Sequence, residues 1–451
     1  MSGYAEYREV NLPWLKAVPA HWEIRRNKNI FTEQKEIVGE RSADYTLLSL
    51  TLNGIIPRDM DGGGKFPESF DKYKIVKNGD MAFCLFDIDE TPRTVGLSGY
   101  NGMLTGAYTI MRVSNINARF IYYYYLALDN GKMLRPLYTG LRKTININTF
   151  QSTKVPVPPR EEQDQIVRFL DWKVSSINKL INIKKKEIKA VDALKRSTVS
   201  HAITRGLTAD APTKYSGVKW LGDIPAHWNV TKLRQILHPV SEKNHPEFPL
   251  LSVVREQGVI LRDVEDKEAN HNFIPDDLSG YKVVRKGQFA MNKMKAWQGS
   301  YGVSDYTGIV SPAYFIFDIA FENLEYFHYA IRSKVYVNFF AQASDGIRVG
   351  QWDLQMDKMK ETPFIVPPAD EQIAIVKYIK QALPQYDAAI EKLTEEVAVL
   401  EEYKNKVIAD AVTGKIDVRG IDIPEYEFVD EDTDNVDENL EQGADEPPEE
   451  E

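Results

Sequence analysis

The sequence predicts an α+β protein in which two mixed α/β modules are separated by two long antiparallel coiled-coil helices, a tandem repeat with pseudo-twofold character. Three observations predict it. A unit of about 205 residues is written twice. Each copy begins with short apolar runs broken by Gly, Asn and Asp turns, the pattern of strands. Each copy ends in a stretch of more than 40 residues with the length and apolar spacing of a helix.

The repeat is read from phrases. Pro-Ala-His-Trp stands at 19–22 and again at 225–228, and "YKIVKNGDMAF" (73–83) is answered by "YKVVRKGQFAM" (281–291). "VGLSGYNGMLTGAYTIMRV" (95–113) pairs with "YGVSDYTGIVSPAYFIFDI" (301–319), which sets Tyr108 against Tyr314. "TGLRKTI" (139–145) finds "SDGIRVG" (344–350), and "VPVPPREEQDQIVRFL" (155–170) returns as "FIVPPADEQIAIVKYI" (364–379). The offset drifts only between 203 and 209. Solenoid repeats run at roughly 20–50 residues, whereas a unit of this size buries its own core. The boundaries that follow are a first module at 1–158, a helix at 159–206, a second module at 207–366, a helix at 367–415 and an acidic tail at 416–451.

Inside each module the runs "ADYTLLSL", "MAFCLF" and "AYFIFDI" have strand character, and "ARFIYYYYLALDN" (118–130) has helical character. Four successive tyrosines cannot share one helix face, so two or three are expected in the core and the rest at a rim. The prolines 158 and 159 precede the first long helix. In the second, Ile379, Leu383, Tyr386, Ile390, Leu393, Val397, Leu400, Val407 and Ala411 follow steps of four and three, the period of a left-handed coiled coil. Pro384 falls inside that run and predicts a kink or restart. With one module between them, the two helices pair most simply as an antiparallel bar between two heads.

Composition narrows the function. Hydrophobic residues make up 43% and charged residues 27%, and no apolar run approaches the roughly 20 residues of a membrane span. A lone cysteine, Cys84, permits neither an internal disulfide nor a cysteine metal cluster and fits a reducing cytoplasm. The net charge of −10 misleads, because 15 of the 66 acidic residues lie beyond residue 420, where Lys and Arg do not occur. The remaining 51 acids face 56 bases, a body of +5 with an acidic tail expected to be disordered. A mildly basic body is compatible with nucleic acid.

Enzymatic motifs fail on inspection. The chain has no Gly-x-x-x-x-Gly-Lys-Ser/Thr, no Gly-x-Gly-x-x-Gly, no His-Glu-x-x-His and no Gly-x-Ser-x-Gly. Its double prolines lack the Asp/Asn-Pro-Pro-Tyr/Phe form of amino-methylating enzymes. His21 and His227 each stand alone beside a Trp, which fits a hydrogen-bonded packing role better than a catalytic one.

The phrases "WLGDIPAHWNVTKLRQIL" and "VPPxxEQ", repeated after a second variable module, resemble the specificity subunit of type I restriction–modification systems over about residues 12–420. The resemblance implies that the modules are target recognition domains and the helices spacers that also bind modification subunits. It implies a non-catalytic chain that recognises a bipartite site on double-stranded DNA. Its partners would be two modification subunits, which methylate adenine N6 with S-adenosylmethionine, and restriction/motor subunits that use ATP and Mg. The acidic tail is not part of the family pattern.

Differences between the copies point to the readers. "CLFDIDETPRT" (84–94) faces "NKMKAWQGS" (292–300), and the two diverge where their flanks agree. Arg, Lys, Asn and Gln read base edges or hold phosphates, which selects Asn292, Lys293, Lys295 and Gln298, with Trp297 as a packing wedge. Arg142 and Lys143 in "GLRKT" correspond to Arg348 in "GIRVG", and Arg58 corresponds to Arg262. Solvated turns and drifting loops are the competing reading for these residues. A two-headed protein-binding scaffold is the competing reading for the chain.

Overall fold

The computed structural model describes residues 2–58, 67, 69–140, 142–263, 274–275, 277–348 and 351–431. Its contacts divide the chain into two compact units, Met1–Glu187 with Leu393–Glu451, and Ile188–Lys392. These units are not the successive modules of the sequence. Each long helix is continuous, Arg160–Arg205 and Ala369–Val412, and contributes one part to each unit.

Both units are built on the same sheet. In the first, β1 (Phe31–Gln34), β2 (Asp80–Phe83), β3 (Val95–Leu97) and β4 (Thr109–Val113) form an antiparallel sheet in the order β1-β4-β2-β3. In the second, β5 (Leu237–Val240), β6 (Phe289–Asn292), β7 (Tyr301–Val303) and β8 (Tyr314–Ile319) repeat it as β5-β8-β6-β7. The helix Ala118–Asn130 packs on the first sheet. Asn117 caps it by accepting from the Arg119 and Phe120 N–H groups, so two orphan donors of the first turn are satisfied. Of its four tyrosines, Tyr123, Tyr124 and Tyr125 are buried and Tyr122 is partly buried.

Each core is closed by the end of a long helix from the other copy of the repeat. Val407, Ile408, Ala411 and Val412 join Trp22, Phe120 and Phe169 in the first unit, and Ala202 and Ile203 join Trp228, Phe289 and Phe364 in the second. The helices run antiparallel within each unit. Lys184 meets Glu396 at 3.0 Å and Lys404 meets Asn178 at 3.3 Å in the first; Lys195 meets Asp387 at 2.5 Å and Thr198 meets Tyr386 at 2.9 Å in the second. The heptad seam is sealed at its ends, by Ile379 in one unit and Val407 and Ala411 in the other, and only half-buried between.

The restart considered at Pro384 and the disorder expected along the whole tail are not found among the described residues. The second helix does not restart at Pro384. That proline is exposed, as is Lys380 one turn before it, so the carbonyl left without its N–H partner lies on a solvated side of the helix. The acidic tail is not disordered throughout: residues 416–431 turn once, between Val418 and Ile421, and are fastened to the first long helix, with Val418 fully buried. Charge density suggested disorder, but Val418, Ile416, Ile421 and Ile423 find cover in the first core. The part of the tail from 432 onward lies outside the described residues.

Candidate nucleic-acid interface

The repeated phrases meet in space. Trp22 Nε1 donates to Glu162 at 2.8 Å, His21 Nε2 lies 2.7 Å from the same carboxylate, and Tyr4 donates its hydroxyl at 2.6 Å. In the second unit Trp228 Nε1 donates to Glu371 at 2.9 Å and His227 Nε2 lies at 2.5 Å. The neighbouring Gln163 and Gln372 donate to the carbonyls of Pro158 and Pro367, each at 2.8 Å. His-Trp and Pro-Pro-x-x-Glu-Gln are therefore two halves of one clasp that pins the start of a module to the start of a helix. The histidines are hydrogen-bonded packing residues.

With the frame held, the divergent loops leave β2 and β6 at the same corner of each sheet. A backbone bond fastens each loop to the chain that follows the glycine-arginine phrase: Ile145 N–H to Leu85 O at 2.8 Å, and Leu354 N–H to Lys293 O at 3.3 Å. In the first unit this brings the loop 84–94 against Arg142 and Lys143. Asp87 N–H donates to Arg142 O at 3.0 Å, Arg142 pairs with Asp87 at 2.7 Å and lies over the Phe86 ring, and Lys143 pairs with Glu90 at 2.7 Å and Asp89 at 3.4 Å. Arg135 also holds Asp89, at 3.1 Å. The hydrogen bond to Asp87 raises the Arg142 pKa, and that to Glu90 raises Lys143. Both cations are thus engaged by the loop's own acids. Asp87 and Lys143 carry left-handed backbone, φ 45° and 44°, which non-glycine residues adopt at a cost.

The second unit has the opposite charge balance. Its loop 292–300 holds Lys293 and Lys295 and no acid. Asn292 ends β6, donates to the Tyr314 hydroxyl at 3.3 Å and accepts from Met294 N–H at 3.1 Å. Burial raises the Tyr314 pKa while Arg262 and Asn292 beside it oppose the rise. Lys282 donates to Tyr314 O at 2.7 Å, and its pKa is lowered first by burial and then by Lys243 and Lys293. Arg262, Lys282, Lys293, Asn292 and Tyr314 therefore form one basic cluster. Gln298 lies in a single 3₁₀ turn, Ala296–Gln298, with Lys295 as its N-cap and Trp297 at its centre. Arg348 lies on the strand Ser344–Arg348, opposite Gln351; its side chain is outside the described residues.

Arg58 and Arg262 occupy equivalent places, each following a short hairpin and donating its N–H at 2.9 Å, to Leu47 O and Leu250 O respectively. Lys74 and Tyr108 are the first-unit counterparts of Lys282 and Tyr314: Lys74 donates to Tyr108 O at 2.6 Å, and burial pushes Tyr108 up to about 12. Here Cys84 takes the place of Asn292, a buried thiol where the second copy has an amide. The Tyr-Lys phrase at 73–74 and 281–282 was the sequence signal for the paired lysines, and the match of Tyr108 with Tyr314 was the signal for the tyrosines.

These features define a class: a tandem-module protein whose two copies share a frame and differ at one loop corner. Residues 70–194 match the type I restriction modification DNA specificity domain. The chain is 24% identical to the type I restriction enzyme MjaVIII specificity subunit of Methanocaldococcus jannaschii, over 92% of this chain and 98% of that one. It is 23% identical to the putative MjaX specificity subunit of the same organism, over 89% and 95%. A solved chain from a study of complex assembly and conformational transition of the type I R-M system shares the fold, with a TM-score of 0.55 at 13% identity, over 88% of this chain and 99% of that one. Over nearly its whole length the chain resembles the family of type I restriction–modification specificity subunits. Members of that family are non-catalytic, and the catalytic activities sit in partner subunits. No helix of the described residues is long and apolar enough to cross a membrane.

Proposed function

We propose that this chain reads a bipartite sequence on double-stranded DNA, one half-site through each module, and scaffolds two modification subunits and the restriction/motor subunits on its paired helices. The observation that carries the reading is the construction of one clasped frame twice, with divergence concentrated where β2 and β6 release their loops. Two different half-sites require that arrangement, because base edges are read by side chains while the frame only positions them. In the second module Asn292, Lys293, Lys295, Gln298, Arg262 and Arg348 are the readers and phosphate contacts. In the first, Arg58, Arg142 and Lys143 serve, and DNA competes with Asp87, Asp89 and Glu90 for the latter two. S-adenosylmethionine, ATP and Mg act in the partner subunits.

The test is to exchange residues 226–366 for the same module of a relative and map methylated adenines genome-wide. One half-site should change and the other persist. A change in both would refute modular reading.

A further inference from the structure

The first long helix carries one face that reads main chain. Gln165 Nε2 donates to the carbonyls of Val418 and Ile421 at 3.1 and 2.9 Å. Ser175 Oγ donates to Glu427 O at 3.1 Å and accepts from Val429 N–H at 2.8 Å. Asn178 and Asn182 donate to the carbonyls of Val429 and Asp430 at 3.2 and 2.9 Å. At the end of this track Lys185 holds the Glu431 carboxylate at 2.8 Å, and Lys404, from the second helix, holds it as well. Arg119 lies over the Phe428 ring. Residues 175, 178, 182 and 185 are spaced by three and four, so they share one helix face. The face grips an extended backbone along its length and ends in a double-lysine seat for a carboxylate.

This track belongs to one copy only. In the frame that aligns Pro158 with Pro367, Ser175, Asn178, Asn182 and Lys185 become Pro384, Asp387, Glu391 and Thr394, of which the proline and the two ionised acids have no side-chain donor and the threonine has no charge to hold a carboxylate. Phe169 is buried with the first core, whereas its counterpart Tyr378 is 43% exposed beside Ile373 at 64%. Connectivity explains the difference. In the second unit the residues after Arg205 turn directly into the hairpin Thr213–Tyr215 and Asp223–Pro225 that precedes Trp228. In the first unit the N-terminal hairpin Tyr7–Leu12 and Leu15–Pro19 fills that role, so the chain beyond Val412 is left to run along the helix.

We propose that this face of the first unit is a binding site for an extended acidic peptide segment, filled in cis by residues 424–431, which makes the helix faces of the two copies inequivalent docking surfaces. A partner segment of that chemistry displaces the strap in the first unit and meets no strap in the second. The fit is to backbone amides and one carboxylate, so the segment must be extended and must end its contact in Asp or Glu over Lys185 and Lys404.

The experiment uses the chain ended at Ile423, which keeps Val418, Ile421 and Ile423 in the core, and a labelled peptide of residues 424–436. Fluorescence anisotropy should show saturable binding. Binding should weaken at least tenfold for a peptide carrying Glu431→Lys and for the shortened chain carrying Asn178→Ala and Asn182→Ala. The intact chain should bind at least tenfold more weakly than the shortened one, since a tethered segment competes at an effective concentration on the order of millimolar. Intact chain carrying Glu431→Lys should regain binding, a second route if the shortened chain folds poorly. Equal binding by intact and shortened chains, equal binding of the Glu431→Lys peptide, or no saturation by about 1 mM would each overturn the proposal.

Discussion

Replacing Glu162 by Ala tests the clasp, and its cost can be worked from the burial of each partner. The Glu162 side chain is 5% exposed and Trp22 is 1% exposed. Truncation leaves the Trp22 indole N–H and the Tyr4 hydroxyl without their acceptor in a dry site, at about 1–3 kcal/mol each. His21 contributes little, because its side chain is 40% exposed and water replaces the carboxylate. The expected loss is about 2–6 kcal/mol in the first unit. Glu371 has two partners rather than three, and its side chain is 35% exposed, so Glu371→Ala should cost the second unit only about 1–2 kcal/mol. The two units need not unfold together, so hydrogen exchange read separately at the amides of β1–β4 and β5–β8 is the assay. Losses below about 1 kcal/mol for both variants, or a larger loss for Glu371→Ala, would refute the account of the clasp.

Two further outcomes follow from the second unit. His328 accepts from Val303 N–H at 3.2 Å, and its pKa is lowered to about 4, first by burial and then by Arg332. A depressed histidine pKa means that the unfolded chain takes up the proton first, so stability is complete above about pH 6.5 and falls as pH drops toward 4. By urea unfolding followed at second-unit amides, the loss by pH 4.5 should be about 2–3 kcal/mol, and His328→Gln should flatten the dependence; an unchanged profile refutes it. Lys293→Ala with Lys295→Ala should weaken duplex binding at low salt and reduce the slope of log affinity against log salt by roughly 0.9 for each phosphate no longer neutralised, measured by anisotropy in the assembled complex. An unchanged slope would remove both lysines from the interface.

The sequence by itself determined what short-range order and self-similarity encode. The tandem frame, the two long helices and the loops that diverge between matched strands were all legible, because periodicity and repetition are properties of neighbouring or equivalent residues. It also marked His-Trp and Pro-Pro-x-x-Glu-Gln as structural phrases. That they are one clasp was decided only by the fold, which brings Glu162 to Trp22 across 140 residues. The same holds for charge. Arg142 and Lys143 read as cations in a turn, and tertiary structure gives them Asp87, Asp89 and Glu90 as partners. Asn292 was legible as an amide, but its bond to Tyr314 and the Arg262 beside them required the sheet. The strap shows the limit most plainly. Counting carboxylates beyond residue 420 predicts disorder, since composition weighs a segment against water alone. Val418 to Glu431 are ordered by a surface about 250 residues earlier, where Ser175, Asn178 and Asn182 satisfy backbone groups and two lysines meet one carboxylate. Order in such a segment depends on what lies opposite it, and only the folded chain puts that surface in place.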